Sequence, residues 1–173
     1  MNDDPDNPGK PRVRSATLDD VPSIFELIRE HADDLIARSL NDIVQNIDRF
    51  YVAEGDGRIV GCAAWSLLPE VGDVSHTSVE IKSVAVRAPW RTRGVGRLLV
   101  QAVIDRVLPL NVAQLLVLTF APEFFAKLGF REIPKTQIMH KIYMGCINCT
   151  KHANPFTCPE VAMTLVPSPK RPD

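Results

Sequence analysis

The stretch "RTRGVGRLLVQAVIDRVL", Arg91 to Leu108, decides the reading of this chain. It opens with arginines around two glycines and continues as an amphipathic helix. A strand ends just before it, near Val86, and Pro89 marks an intervening turn. Free amides at a helix N-terminus point outward and carry partial positive charge. Gly94 and Gly96 remove side chains that would keep an anion away, while Arg91, Arg93 and Arg97 add charge at the rim. The combination predicts a phosphate site. A P-loop would close on Gly-Lys-Ser/Thr, and this turn closes on Gly96-Arg97-Leu98. A dinucleotide fingerprint needs a third small residue where Leu99 stands.

Working outward, "RVRSAT" (12–17) alternates as a strand. Thr17 and Asp20 form a capping-box-like start for a helix carrying Val21, Ile24, Phe25 and Ile28. "NDIVQNI" from Asn41 predicts a second helix with Ile43, Val44 and Ile47 on one side. "RFYVAE" and "RIVGCAAWSLL" flank "GDG" as a hairpin. "PEVGDVSH" (69–76) is expected to be a loop and "TSVEIKSVAV" (77–86) a strand. "QLLVLTF" is a buried strand, "PEFFAKLG" a short helix, and "TQIMHKIYM" (136–144) the expected last strand. This order gives an α/β (α+β) fold: a mixed central sheet, flanking helices and one parallel crossover around the long helix.

The chain has 173 residues, 45% hydrophobic and 24% charged, with a net charge of -1. That balance gives no reason to expect nucleic acid, and no apolar run is long enough to suggest a membrane span. Residues 1–11 are expected to form a disordered lead-in, 12–144 a single folded domain and 145–173 a cysteine-bearing tail with a disordered end. With no secretory leader in evidence, a cytoplasmic address with reduced thiols is expected. A homodimer is compatible with all of this.

Arg91-x-x-Gly94-x-Gly96, between "SVAV" and a long helix, resembles the coenzyme A motif of the GNAT acetyltransferases. "FFAKLGF" resembles the helix and strand that close the coenzyme site there. The resemblance runs from about Val13 to Tyr143. It implies acetyl-CoA as co-substrate, its pyrophosphate on the amides of Arg93, Gly94, Val95, Gly96 and Arg97, and its pantetheine arm along the backbone of Val84 and Val86. It also implies an oxyanion held by strand amides and a base on the preceding strand. Glu80 is the candidate base. Strand period two would put Glu80, Lys82, Val84 and Val86 on one face, where Glu80 could alternatively pair with Lys82.

"LIARSLNDIVQNIDRFYVAEGDGRIVGCAAW", "VEIKSVAV" and the tail "CINCTKHANPFTCPEVAMTL" are similar to the acetyltransferase domain of bacterial N-acetylglutamate synthases, particularly their short stand-alone form. The likeness implies transfer of acetyl to the α-amine of L-glutamate, at the entry of arginine biosynthesis. It implies Arg38 and Ser83 as substrate-binding residues, with Lys82 and Lys141 as further candidates by charge alone. Many relatives of the wider family protonate the thiolate with a tyrosine where this chain has Phe125, which cannot donate. Thr119 and Tyr143 are alternative donors. Other expectations therefore stay open: a different amine or a protein N-terminus as acceptor, or a non-catalytic acyl-CoA-binding module.

Cys62 is expected in the core. Cys146, Cys149 and Cys158 form C-x2-C-x8-C around His152, which departs from standard zinc-finger spacing. No metal is the first expectation. Zinc, a disulfide, a redox pair or packing remain the alternatives. His31, His76 and His140 show no partner spacing and are expected to be structural or at the surface.

Overall fold

A computed structural model describes residues 10–70, 72–149 and 151–167. Most of the expected lead-in and the end of the tail lie outside them. The strands are β1 (Arg12–Ser15), β2 (Phe50–Gly55), β3 (Arg58–Glu70), β4 (Asp73–Val86), β5 (Gln114–Thr119), β6 (Arg131–Glu132) and β7 (Val161–Leu165). The helices are α1 (Val21–Glu30), α2 (Leu40–Gln45), α3 (Val95–Val107), α4 (Pro122–Ala126) and α5 (Met139–Met144). Hydrogen bonds order the strands β1-β2-β3-β4-β5-β7-β6. β4 and β5 are parallel and joined through α3, as expected.

Contacts divide the chain into two units, residues 1–64 with 83–103 and residues 65–82 with 104–173. In the first, β1 and β2 pair antiparallel, as do β2 and β3. The β2–β3 hairpin turns on Asp56 and Gly57, with φ of 51° and 71°. Both central residues are left-handed, the pattern a two-residue hairpin requires. The stripe Val21, Ile24, Leu27 and Ile28 of α1 packs with Ile43, Phe50, Val52 and Cys62. Phe25, expected on that stripe, is only partly buried, while Leu27 is fully covered. α2 starts one residue earlier than expected, because Ser39 Oγ caps it by accepting from Asp42 N at 3.1 Å. Val44 is exposed while Ile43 is buried, so the short helix has a narrower apolar side than its sequence suggests.

In the second unit, β5 pairs in parallel with β4 at Ser78–Gln114, Val79–Leu115 and Glu80–Leu116. Its other edge pairs antiparallel with β7, which in turn pairs with β6. Leu68, Leu116, Ile138 and Ala162 form the core there.

Two expectations fail. The segment read as the loop 69–76 is largely strand: β3 reaches Glu70, β4 starts at Asp73, and Gly72 turns the chain at φ 82°. Pro69 and the charges look like loop composition because they sit exposed at the end of a long hairpin. The expected last strand, 136–144, is a 3-10 turn followed by α5. Ile138 and Ile142 are its buried residues, a four-residue spacing that one helical face satisfies. The last strand is β7, inside the segment read as tail.

Candidate active site

The glycine–arginine turn is assembled within the first unit. After β4 a 3-10 turn, Ala88–Arg93, ends at Gly94 with φ 76°, and α3 starts at Val95. A left-handed residue is needed there, and a Cβ at Gly94 would meet nothing within 4 Å. Val95 points into the core while the chain beside it stays open. Leu98 N already bonds to Gly94 O at 3.1 Å, which leaves the amides of the first helical residues as the outward donors. Gly61 on β3 lets α3 press onto the sheet: a Cβ there would lie 2.9 Å from Leu99 Cδ1 and 3.0 Å from Val95 Cγ1. These features fit a diphosphate.

The three arginines differ in role. Arg91 Nε donates to Val86 O at 3.1 Å and so braces the turn. The Arg93 guanidinium lies 4.5 Å over the ring of buried Trp90. Arg97 is exposed at the start of α3. Val86 O also faces His31 Nε2 at 3.0 Å, and His31 Nδ1 faces Leu27 O at 2.8 Å. His31 is thus structural, tying α1 to β4. Of the backbone groups of Val84 and Val86 expected along the coenzyme, the Val86 carbonyl is engaged inside the protein.

Ser83 breaks the expected strand period. Its φ is 54°, the left-handed region, which a non-glycine residue enters only when its surroundings hold it. Glu80 and Val84 therefore cannot be placed on one face by counting in twos. Ser83 is buried, and its carbonyl faces Cys62 Sγ at 3.4 Å. Lys82 and Val84 are partly buried. Arg38 lies just before the Ser39 cap, with Nη1 3.3 Å from Asp42 Oδ2. Its Nε is buried and has no partner among the described residues.

The second unit carries the carboxylate expected to be the base. Glu80 is 7% exposed. Lys141 of α5 pairs with it, with Nζ 2.6 Å from Oε1. Ser66 Oγ approaches Oε2 at 3.5 Å. Glu160 is close enough to feel this pair: burial, with a smaller push from Glu80, raises its carboxyl above the ordinary range against the pull of Lys141 and Lys135. The Lys141 contact was not legible because 136–144 was read as a strand. The four-residue spacing of Ile138 and Ile142 was the signal that could have found it.

Thr119 ends β5, buried, and its Oγ1 accepts from Ala121 N at 2.9 Å. The hydroxyl hydrogen remains to be donated. Phe125 is buried and edge-on to Phe124 and Phe130, at 5.0 and 5.5 Å between ring centroids. It is a packing residue. Tyr143 is exposed. Cys146, Cys149 and Cys158 are free thiols. Among the described residues no group of three or more His, Cys, Asp or Glu side chains could hold a metal. Among these residues, too, no helix is long and apolar enough to cross a membrane.

The turn lies between a strand and a long helix that joins two parallel strands, as an α/β fold with an anion site requires. The acetyltransferase (GNAT) domain family matches residues 46–132. An uncharacterised N-acetyltransferase of Chlorobaculum tepidum is 33% identical over 87% of this chain and 93% of its own. An amino-acid acetyltransferase of Mycobacterium tuberculosis is 32% identical over 78% of this chain and 76% of its own. The chain spans only 27% of a Vibrio vulnificus amino-acid acetyltransferase to which it is 36% identical. Among solved structures, a Mycobacterium tuberculosis protein in complex with CoA superposes with a TM-score of 0.74 at 27% identity, over 91% of this chain and 99% of that one. The N-acetylglutamate synthase of Neisseria gonorrhoeae, complexed with coenzyme A and N-acetyl-glutamate, shares the fold at a TM-score of 0.70 and 24% identity, over 89% and 34%. The chain belongs to the GNAT acetyltransferase family and is an acyltransferase.

Proposed function

We propose that this enzyme transfers acetyl from acetyl-CoA to the α-amine of a free amino acid, with L-glutamate as the acceptor, giving N-acetylglutamate and CoA. The observation that carries the reading is a buried carboxylate, Glu80, on the strand that runs into the phosphate-type turn. The names of the amino-acid acetyltransferase relatives support the acceptor class.

In this reading the open amides from Gly94 to Arg97, with Arg97 at the rim, hold the pyrophosphate. Glu80 takes a proton from the acceptor's ammonium, directly or through a water, so that a neutral amine can attack the thioester carbonyl. Amides of β4 near Val84 stabilise the oxyanion. As the tetrahedral intermediate collapses the C–S bond breaks, and the thiolate takes a proton from water directly or through the Thr119 hydroxyl, which regains its proton from water as it donates. The amide nitrogen gives up its second proton to solvent. Arg38, with its unpartnered Nε, is the cation proposed for a substrate carboxylate, and Ser83 and Lys82 are proposed to line the same substrate.

The test is a screen of the proteinogenic amino acids with the purified protein and acetyl-CoA, read by thiol release and by the mass of the product. Selective acetylation of glutamate is expected. Thiol release with peptide N-termini but with no free amino acid overturns the acceptor.

A further inference from the structure

The buried pair of Glu80 and Lys141 invites a question of its own: what is the ammonium for? The two side chains are 10% and 13% exposed. Burying two ions costs several kcal/mol each, and the attraction offsets that only where the remaining hydrogen-bonding capacity is also satisfied. An ammonium has three donors, and a carboxylate has about four acceptor sites. Among the described residues, the pair meets its own partner and one distant hydroxyl, Ser66 Oγ at 3.5 Å. A well-satisfied structural ion pair looks different. In the first unit Asp20 accepts from Arg14 Nη1 at 2.7 Å, Arg14 Nη2 at 2.9 Å and Thr17 N at 2.8 Å.

A pair of opposite charges with so few partners among the described residues is the complement of another such pair. A free α-amino acid carries an ammonium and a carboxylate on one carbon. A peptide N-terminus or a polyamine carries the ammonium without that carboxylate. Glu80 offers the acceptor for the first group and Lys141 the donor for the second. Glu160 lies near the same pair, and burial raises its carboxyl above the ordinary range. The ammonium is closely packed. It rests against Gly145, where a Cβ would stand only 2.9 Å from Nζ.

We infer that Lys141 sets acceptor specificity by binding the α-carboxylate of a free amino acid while Glu80 engages its ammonium, exchanging the resting ion pair for two ion pairs with substrate. This deepens the proposed function and rests on its placing of Glu80 toward the acceptor amine.

The experiment compares thiol release with L-glutamate, its α-amide and its γ-amide in the wild type, Lys141→Met, Lys141→Arg and Gly145→Ala. Wild type is expected to lose about 10- to 100-fold in kcat/KM on the α-amide, the worth of a charge-assisted contact. Lys141→Met should lose a similar factor on glutamate, mostly through KM, and treat glutamate and the α-amide alike. Lys141→Arg should restore part of the discrimination. Gly145→Ala should raise the KM for glutamate and leave that for acetyl-CoA unchanged. Discrimination that survives in Lys141→Met overturns the inference. If that variant does not fold, a wild type that does not discriminate, or a Gly145→Ala variant whose KM for glutamate is unchanged, overturns it instead. Wild type that acetylates glutamate and its α-amide equally sinks the inference alone. A wild type that acetylates no free amino acid sinks the proposed function and the inference with it.

Discussion

The turn between β4 and α3 is made of backbone, whereas the Glu80–Lys141 pair is made of side chains. The first needs a left-handed Gly94, unobstructed amides and a helix start, all within a few consecutive residues. The second needs a strand, a short helix far along the chain and a glycine that leaves space beside the lysine. A backbone site binds whatever anion fits and is hard to ruin by a single side-chain change. A side-chain site is selective, and one atom removed from it removes its chemistry. Coenzyme recognition and acceptor chemistry should therefore separate under mutation.

The largest effect is expected at Glu80. Glu80→Gln keeps an acceptor for Lys141 but is a poor base, so kcat should fall by about 10²- to 10⁴-fold with coenzyme affinity nearly unchanged. Steady-state kinetics and calorimetric titration with CoA check both halves. A variant with unchanged turnover would place the base elsewhere. Asp20 is the control carboxylate in the other unit. Arg14, first of all, holds its carboxyl below the ordinary range, with help from the Thr17 amide. Asp20→Asn should cost about 2 kcal/mol of stability and spare turnover. The sign with pH follows from the direction of the shift. A lowered folded value means the stabilisation is complete above the unfolded value, about pH 4, and fades as pH falls through the folded one. Urea titrations of the two proteins should converge toward strongly acidic pH.

The same contrast governs what the sequence disclosed. Gly94, Gly96 and the following helix are local, so reading along the chain was enough to find them. The β2–β3 hairpin was legible for the same reason, through Asp56-Gly57. Ser83 was not, since nothing in serine announces a left-handed residue inside a strand, and the period-two count across it failed. Nor was α5, whose short apolar pattern fits a strand and a helix equally until burial selects Ile138 and Ile142. Glu80 stands out from its strand as a proposed base, but its contact with Lys141 was hidden because the pairing is a tertiary fact. β7 was missed because its five residues follow a polar, cysteine-rich stretch that reads as tail.

A smaller effect should divide the arginines of the turn. Arg97 is exposed at the start of α3, so Arg97→Ala should raise the KM for acetyl-CoA about tenfold and leave the melting temperature alone. Arg91 also donates to Val86 O, so Arg91→Ala should raise the KM and lower the melting temperature together. Identical behaviour of the two variants would mean that the bond to Val86 does not brace the turn.

The smallest effect concerns the cysteines and again sets the two units apart. Cys62 is fully buried in the first unit, and burial pushes its thiol up to about 12. The thiolate is the reactive form, so at pH 8 almost none of Cys62 is available to an alkylating agent. Cys146, Cys149 and Cys158 in the second unit are partly exposed. Burial raises Cys146 and Cys158 as well, but a route for reagent exists. Iodoacetamide on the native protein, followed by peptide mass mapping, should label these three and leave Cys62 unmodified until denaturant is added. Early labelling of Cys62 would mean that β3 opens to solvent beneath α1, and the glycine-dependent seat of α3 on the same strand would then be loose as well.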